Sequence, residues 1–252
     1  MTEAGRVLHH HARFSRHSSY PERNRGVPIP DDKLAWDVAF PEYQPVSFTA
    51  LVVLQNWPNG WADPPDVAQL GRKLSSHTGP LRYDKDGRPL NPMGRTGLAG
   101  RGVLGRWGPN FAADPIVTRD GGRPGLVEML AIRRRDSGAW AIPGGMVDYG
   151  EEISETLARE FREEAGVDLD MQDAVELYRG YVDDPRNTDH AWMETIVKHK
   201  HLAPEFASKL QPKAGDDASE VCWMPLVPEN IEALYASHSE FVRRALERIQ
   251  NS

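Results

Sequence analysis

Residues 145–167, GMVDYGEEISETLAREFREEAGV, carry most of the structural information in this sequence. Residues 151–165 have the apolar spacing of an amphipathic helix, with acidic residues in the first turn and a glycine directly after the last one. At about 100° per residue, Glu160, Glu163 and Glu164 share one arc of roughly 100° on this helix. That arc borders the apolar face, so we expect the carboxylates at the edge of the core, beside a cleft.

A divalent cation is the natural partner for three neighbouring carboxylates, because they otherwise repel one another. Arg159 lies four residues before Glu163 and can pair with it, but one arginine cannot neutralise three acids. An all-oxygen ligand set is typical of Mg²⁺ or Mn²⁺, whereas zinc favours His and Cys. The alternative is a solvated helix with surface ion pairs. The fixed register of Gly145 and Glu151 before the helix favours the metal site.

The composition is that of a globular protein. The chain has 252 residues and a net charge of −7, which argues against a general nucleic-acid binder. The longest central apolar run, residues 50–54, is far shorter than the roughly 20 residues that a membrane span needs, so no membrane partner is expected within this chain. The single cysteine, Cys222, excludes an intrachain disulfide and fits a reducing compartment. We expect a cytoplasmic protein, with a mitochondrial location as the alternative.

The pattern along the chain predicts two domains, residues 1–108 and 109–252. The first begins with a basic, irregular arm, has a strand-like pattern over residues 36–54, and ends in a Gly-rich linker over residues 91–110. Residues 100–105, GRGVLG, match a dinucleotide-binding pattern but lack the flanking strand and helix that it requires. The second domain mixes helices and strands, which indicates an α+β or layered α/β/α fold. Its strands are predicted at residues 115–118, 126–132, 178–182, 193–197 and 221–224, and its last helix at residues 240–249.

The helix and the residues before it resemble the Nudix box, G-x5-E-x7-R-E-U-x-E-E-x-G-U, where U is a bulky apolar residue. Every fixed position matches, and the matching residues are Gly145, Glu151, Arg159, Glu160, Phe161, Glu163, Glu164, Gly166 and Val167. The resemblance implies a Nudix fold, a mixed sheet between helices, preceded by a smaller N-terminal α/β domain. It also implies Mg²⁺-dependent hydrolysis of a nucleoside diphosphate linked to another group, with Mn²⁺ as a substitute.

The resemblance assigns roles to the residues of the box. Glu160, Glu163 and Glu164 are implied metal ligands and catalytic residues, and the Gly145 region is implied to contribute a carbonyl. Arg159 would orient Glu163. Glu151 would act behind the ligands or bind an additional ion. The general base is not readable from the sequence, and the candidates are Asp216, Asp217 and the box glutamates.

Residues 181–189, YVDDPRNTD, extend the resemblance beyond the box. Over about residues 25–250 the chain is similar to the mitochondrial-type ADP-ribose pyrophosphatases and to the ADP-ribose-binding Nudix domain of the melastatin-family, ADP-ribose-gated cation channels. The implied ligand is ADP-ribose, and the implied products are AMP and ribose 5-phosphate. The implied ligand-binding residues are Asp184, Arg186, Leu234, Tyr235 and His238. From the residues alone, a turn stabilised by its own side chains and an apolar turn before the last helix stay open as alternatives.

Two functions from different classes follow from this resemblance. The first is an ADP-ribose pyrophosphatase whose N-terminal domain covers one end of the cleft and raises affinity. The second is an ADP-ribose-sensing cytosolic domain of a cation channel, in which any hydrolysis is incidental. The vertebrate channel domain lacks the residues found here as Glu160 and Phe161, so we predict turnover and not binding alone. A third hypothesis keeps the chemistry and changes the substrate to NADH or a sugar nucleotide.

Overall fold

The computed structural model describes residues 10–14, 20, 29–147, 153–208, 210–214 and 218–251. These residues pack as two compact units. One comprises Met1–Asn110 with Gly180–Glu194, and the other Phe111–Arg179 with Thr195–Ser252. The segment Gly180–Glu194, which lies within the second domain predicted from the sequence, therefore packs with the first unit. Among the described helices, none has the length and apolar character needed to cross a membrane.

The first unit contains short elements joined by turns. They are β1 (Val46–Thr49), α1 (Leu51–Gln55), β2 (Arg82–Tyr83), β3 (Pro89–Leu90) and β4 (Leu98–Gly102). Strand β1 pairs in parallel with β4, and β2 pairs in antiparallel with β3. A Cβ on Gly100 would lie 2.4 Å from the carbonyl oxygen of Phe48, and Gly100 has a φ of +83°. The close pairing of β1 with β4 therefore requires glycine at this position.

Two sequence predictions in this unit were wrong in part. The strand-like pattern of residues 36–54 is confirmed at β1, but it also contains turns at residues 36–37 and 41–42 and the helix α1. A five-residue apolar run carries too little periodicity to separate strand from helix, and in α1 only Val53 is buried. The Gly-rich stretch 91–110 is also not simply a linker, because it contains the buried strand β4. Its glycines allow a backbone approach that other residues would block.

The segment Gly180–Glu194 is tied to the first unit by buried hydrogen bonds. Asp189 accepts from the Thr96 amide at 2.7 Å, the Thr96 hydroxyl at 2.9 Å and the Tyr43 hydroxyl at 2.6 Å. Its backbone carbonyl accepts from the Asn91 amide at 2.8 Å. Asp189 is 1% exposed. Burial, followed by the charge of Asp189, raises the pKa of Tyr43, so this phenol stays protonated and donates.

The second unit is built on a mixed sheet between helices. Its elements, three of which begin or end in the first unit, are β5 (Gly108–Asp120), β6 (Val127–Arg134), β7 (Trp140–Ala141), β8 (Gly145–Met146), α2 (Ile153–Ala165), β9 (Val175–Val182), β10 (Ala191–Leu202), α3 (Pro204–Ala207), β11 (Ala218–Pro225), α4 (Pro228–Glu232) and α5 (His238–Gln250). The strand order is β11-β6-β5-β10-β9, with β7 beside β6 and β8 beside β5. Each strand predicted for this region overlaps an observed one, so the predicted α+β class is confirmed.

Helix α2 packs its apolar side on the sheet. Leu157 and Phe161 are fully buried in one cluster with Val117 of β5 and Leu130 of β6. The helix ends before Gly166, which has a φ of +67°. The Gly166 amide donates a hydrogen bond to the Arg162 carbonyl, and together these features form a left-handed helix end. The predicted helix thus ends where expected, while the first two residues of its predicted range lie outside the described residues.

Candidate active site

Helix α2 presents the three box glutamates in two different environments. Glu160 and Glu164 are 8% and 7% exposed, and they lie one turn apart on the face directed at the sheet. The Glu163 side chain is 55% exposed. The acids therefore border the apolar face, as predicted, but only two of them are buried.

Gly144 and Gly145, at the start of β8, bring the backbone close to both buried acids. The amide of Gly144 donates to Oε2 of Glu164 at 2.8 Å. A Cβ on Gly145 would lie 2.3 Å from the carboxylate carbon of Glu160. Glu160 thus lies against the backbone at a place that only glycine leaves open.

Arg159 holds two of the glutamates together. Its Nη1 lies 2.7 Å from Oε1 of Glu160 and 3.1 Å from Oε2 of Glu163. Its Nη2 donates to the carbonyl of Met146 in β8 at 3.1 Å. The predicted pairing of Arg159 with Glu163 is present, and the guanidinium also links helix α2 to the strand after the glycines.

The residues at this site fit a hard divalent cation by their chemistry. The donors are carboxylate and backbone oxygens, which Mg²⁺ and Mn²⁺ prefer. The space at Gly145 also holds the Glu160 carboxylate beside the backbone. Across the described ranges, no three His, Cys, Asp or Glu side chains converge closely enough to hold a metal ion. Glu151 lies outside the described residues, and so do the candidate bases Asp216 and Asp217.

The electrostatics of the site centre on Glu164. Burial raises the pKa of Glu164 to about 8; the charges of Glu160 and Asp114 add to this shift, and the Gly144 amide and Arg134 oppose it. At neutral pH this carboxyl binds a proton unless a cation replaces it. Asp114 was missed in the sequence, because it lies outside the box. A charged residue within the apolar run AADPIV was the available signal.

The predicted residues Leu234, Tyr235 and His238 contact the backbone of residues 140–142, the segment directly before Gly144. The Tyr235 amide donates to the Trp140 carbonyl at 2.8 Å. The Ile142 amide donates to Nδ1 of His238 at 2.9 Å, which places the imidazole proton of the neutral ring on Nε2. Leu234 is buried and forms a parallel β-bridge with Trp140.

Arg134 is a second charged residue of the site that the sequence did not reveal. Its guanidinium carbon lies 4.6 Å from the centre of the Tyr235 ring. Its charge also lowers the pKa of Glu164. Arg134 therefore connects the predicted ligand-binding turn electrostatically with the box.

Asp184 and Arg186 lie in the first unit and bind each other. The guanidinium forms two bonds of 2.8 Å with the Asp184 carboxylate, and the Arg186 amide donates to the same side chain at 2.8 Å. Asp184 is 3% exposed. The turn is also fixed by Asn187, which donates to the Val182 carbonyl at 2.7 Å. Its own side chains stabilise this turn, and its contact with a ligand stays a prediction.

Comparisons with known proteins match this chain in two consecutive parts. A family model for the NUDT9-like N-terminal domain matches residues 29–108, and one for the NUDIX domain matches residues 109–245. The putative nudix hydrolase 6 of Caenorhabditis elegans is 46% identical over 235 residues, covering 85% of this chain and 87% of that protein.

Two further relatives match nearly the whole chain, but the match covers very different shares of their own length. The mitochondrial ADP-ribose pyrophosphatase of Rattus norvegicus is 41% identical over 277 residues, covering 93% of this chain and 77% of the enzyme. The transient receptor potential cation channel subfamily M member-like 2 of Nematostella vectensis is 41% identical over 279 residues, covering 94% of this chain but 18% of the channel. From its box geometry and these matches, the chain belongs to the Nudix family and carries a NUDT9-like domain before its Nudix domain.

Proposed function

We propose that this chain hydrolyses the pyrophosphate of ADP-ribose and releases AMP and ribose 5-phosphate. The observation that carries the proposal is the pair of buried acids, Glu160 and Glu164, held against Gly144 and Gly145. A second support is the 41% identity, over 93% of the chain, to a mitochondrial ADP-ribose pyrophosphatase. Nudix pyrophosphatases act with divalent metal ions, and we propose Mg²⁺ here, with Mn²⁺ as a substitute.

In this proposal the box residues hold the cation. Glu160, Glu163 and Glu164 would be ligands together with the Gly145 carbonyl, and Glu151 would act behind them or bind an additional ion. A cation held by these residues would supply charge neutralisation for the pyrophosphate and a lowered pKa for the attacking water. Arg159 fixes the carboxylates of Glu160 and Glu163. Hydrolysis adds the water oxygen to one phosphorus, and the bridging oxygen leaves with the other.

The remaining predicted residues would bind the substrate. The bidentate pair with Asp184 fixes the plane of the Arg186 guanidinium, and a guanidinium held in this way suits phosphate. The rings of Tyr235 and His238 meet edge to face with their centres 5.7 Å apart. They offer an aromatic wall, with Leu234 behind it, for a base or a ribose.

The assignment is tested by replacing Glu163 and Glu164 separately with Gln and following AMP release from ADP-ribose with Mg²⁺. We expect kcat to fall by about 100-fold or more, as when groups that stabilise developing charge are removed. Glu155→Gln, an exposed residue of the same helix, serves as the matched control. Undiminished turnover in both variants would falsify the metal assignment.

The alternative is an ADP-ribose-sensing domain of a cation channel, favoured by the identity to the Nematostella channel over 94% of this chain. A panel of ADP-ribose, NADH and a sugar nucleotide with Mg²⁺ separates the hypotheses. Tight ADP-ribose binding without AMP release would support sensing, whereas faster cleavage of another compound would change the substrate. The cytoplasmic location, with a mitochondrial one as the alternative, belongs to the same proposal.

A further inference from the structure

Asp114 is a buried acid of β5 that lies beside the box glycines. Its neighbour Ala113 is paired with Gly145 of β8, which brings Asp114 to Gly144. A Cβ on Gly144 would lie 2.3 Å from Oδ1 of Asp114. Asp114 is 8% exposed, so its carboxylate is shielded from water and lies directly against the glycine.

Gly144 therefore contacts two buried carboxylates. Its amide donates to Glu164 at 2.8 Å, while its Cα lies against Asp114. The negative charge of Asp114 disfavours the ionised form of Glu164 by repulsion across Gly144. In a site shielded from water such repulsion is weakly screened, and a cation bound by Glu164 relieves it.

Thr195 of β10 fixes the orientation of Asp114. Its hydroxyl lies 2.6 Å from Oδ2 of Asp114 and 3.2 Å from the Ala112 carbonyl. A hydroxyl has one proton, and the shorter distance gives it to the carboxylate. Thr195 is 1% exposed, so this charge-assisted bond has no competition from water.

We propose that Asp114 is a positioning residue of the cation site. Held by Thr195, it adds negative charge next to Glu164 and so strengthens the binding of a divalent cation by Glu164, without being a ligand itself. The inference rests on the proposed function for the location of the cation. It predicts that the pair Asp114 and Thr195 controls cation affinity although neither residue belongs to the Nudix box.

The test measures Mn²⁺ binding to the full chain without nucleotide, from the electron paramagnetic resonance signal of the free ion. Asp114→Asn keeps the size of the side chain and removes its charge. We expect its Mn²⁺ affinity to fall about tenfold, as is typical when groups behind a metal ligand are changed. We also expect the metal-free variant to keep or gain thermal stability, and Mn²⁺ to raise its melting temperature less than that of the native chain. A merely structural role for Asp114 would instead lower the stability of the metal-free protein.

Thr195 supplies an independent pair of variants if Asp114→Asn does not fold. Thr195→Ser keeps the hydroxyl and should bind Mn²⁺ as the native chain does, whereas Thr195→Val should bind it several-fold more weakly. Native affinity in a folded Asp114→Asn, or equal affinities in the two Thr195 variants, would overturn the inference. If the native chain does not cleave ADP-ribose but Asp114→Asn binds Mn²⁺ more weakly than the native chain, only the proposed function is overturned.

Discussion

Replacement of Gly145 by alanine tests whether the Glu160 carboxylate has to lie against the backbone. The added Cβ would lie 2.3 Å from the carboxylate carbon and 2.3 and 2.4 Å from its oxygens, against 3.4–4 Å in ordinary contacts. The obstructing atoms are the end of a flexible side chain, so Glu160 should move by about 1 Å while β8 stays in place. A displacement of about 1 Å can cost about 100-fold in rate, or about 2.7 kcal/mol of transition-state stabilisation.

The assay is AMP release from ADP-ribose at several Mg²⁺ concentrations, together with urea unfolding. We expect kcat/KM to fall about 100-fold and the free energy of unfolding to change by less than about 1 kcal/mol. The control is Gly122→Ala in the turn after β5, where an added Cβ meets nothing within 4 Å. A folded Gly145→Ala protein with native kcat/KM and native Mg²⁺ dependence would refute the placement of Glu160.

Three further predictions concern pH, substrate affinity and stability. The folded metal-free chain keeps a proton on Glu164 that the unfolded chain releases, so this group makes unfolding easier as pH rises from 4.5 to about 8. The free energy of unfolding falls by at most about 5 kcal/mol for this reason. In urea unfolding with EDTA, the free energy of unfolding of Glu164→Gln should fall less steeply between pH 5 and 8 than that of the native chain; equal slopes would contradict the raised pKa of Glu164. Arg186→Lys cannot keep the bidentate pair with Asp184, so we expect the KM for ADP-ribose to rise about tenfold with kcat largely kept; an unchanged KM would remove this residue from the binding site. His238→Ala leaves the buried amide of Ile142 without its acceptor and should lower the free energy of unfolding by about 1–3 kcal/mol, whereas His238→Asn should lower it less; the same melting temperature in both variants would argue against that bond.

The parts that could be predicted from the sequence depend on local periodicity. Helix α2 has an apolar stripe of several turns and a glycine stop, so its acids, its buried face and its end could be placed without coordinates. The five long strands of the second unit have clear turn signals between them, as at residues 120–125. Arg159 and Glu163 could be paired because their spacing on a helix fixes their separation.

The parts that could not be predicted depend on contacts between distant residues. Asp114 reaches Gly144 only through the register of β5 with β8, and no local pattern contains that register. Helix α1 was taken for a strand because its short apolar run fits both periods. The association of Gly180–Glu194 with the first unit depends on hydrogen bonds such as those of Asp189, whose partners lie about 90 positions earlier in the chain.

The two-part construction of the first unit has a consequence for biosynthesis. Thr96 and Tyr43 can donate their hydrogen bonds to Asp189 only after Asp189 has emerged from the ribosome. The amino-terminal half therefore cannot complete its folding while it is being synthesised. In a shortened protein that starts after residue 105, the Asp189 carboxylate would lack these hydrogen-bond donors. The free energy of unfolding would fall by about 1–3 kcal/mol or more. The prediction that the amino-terminal half raises substrate affinity is therefore best tested with point substitutions in an intact polypeptide.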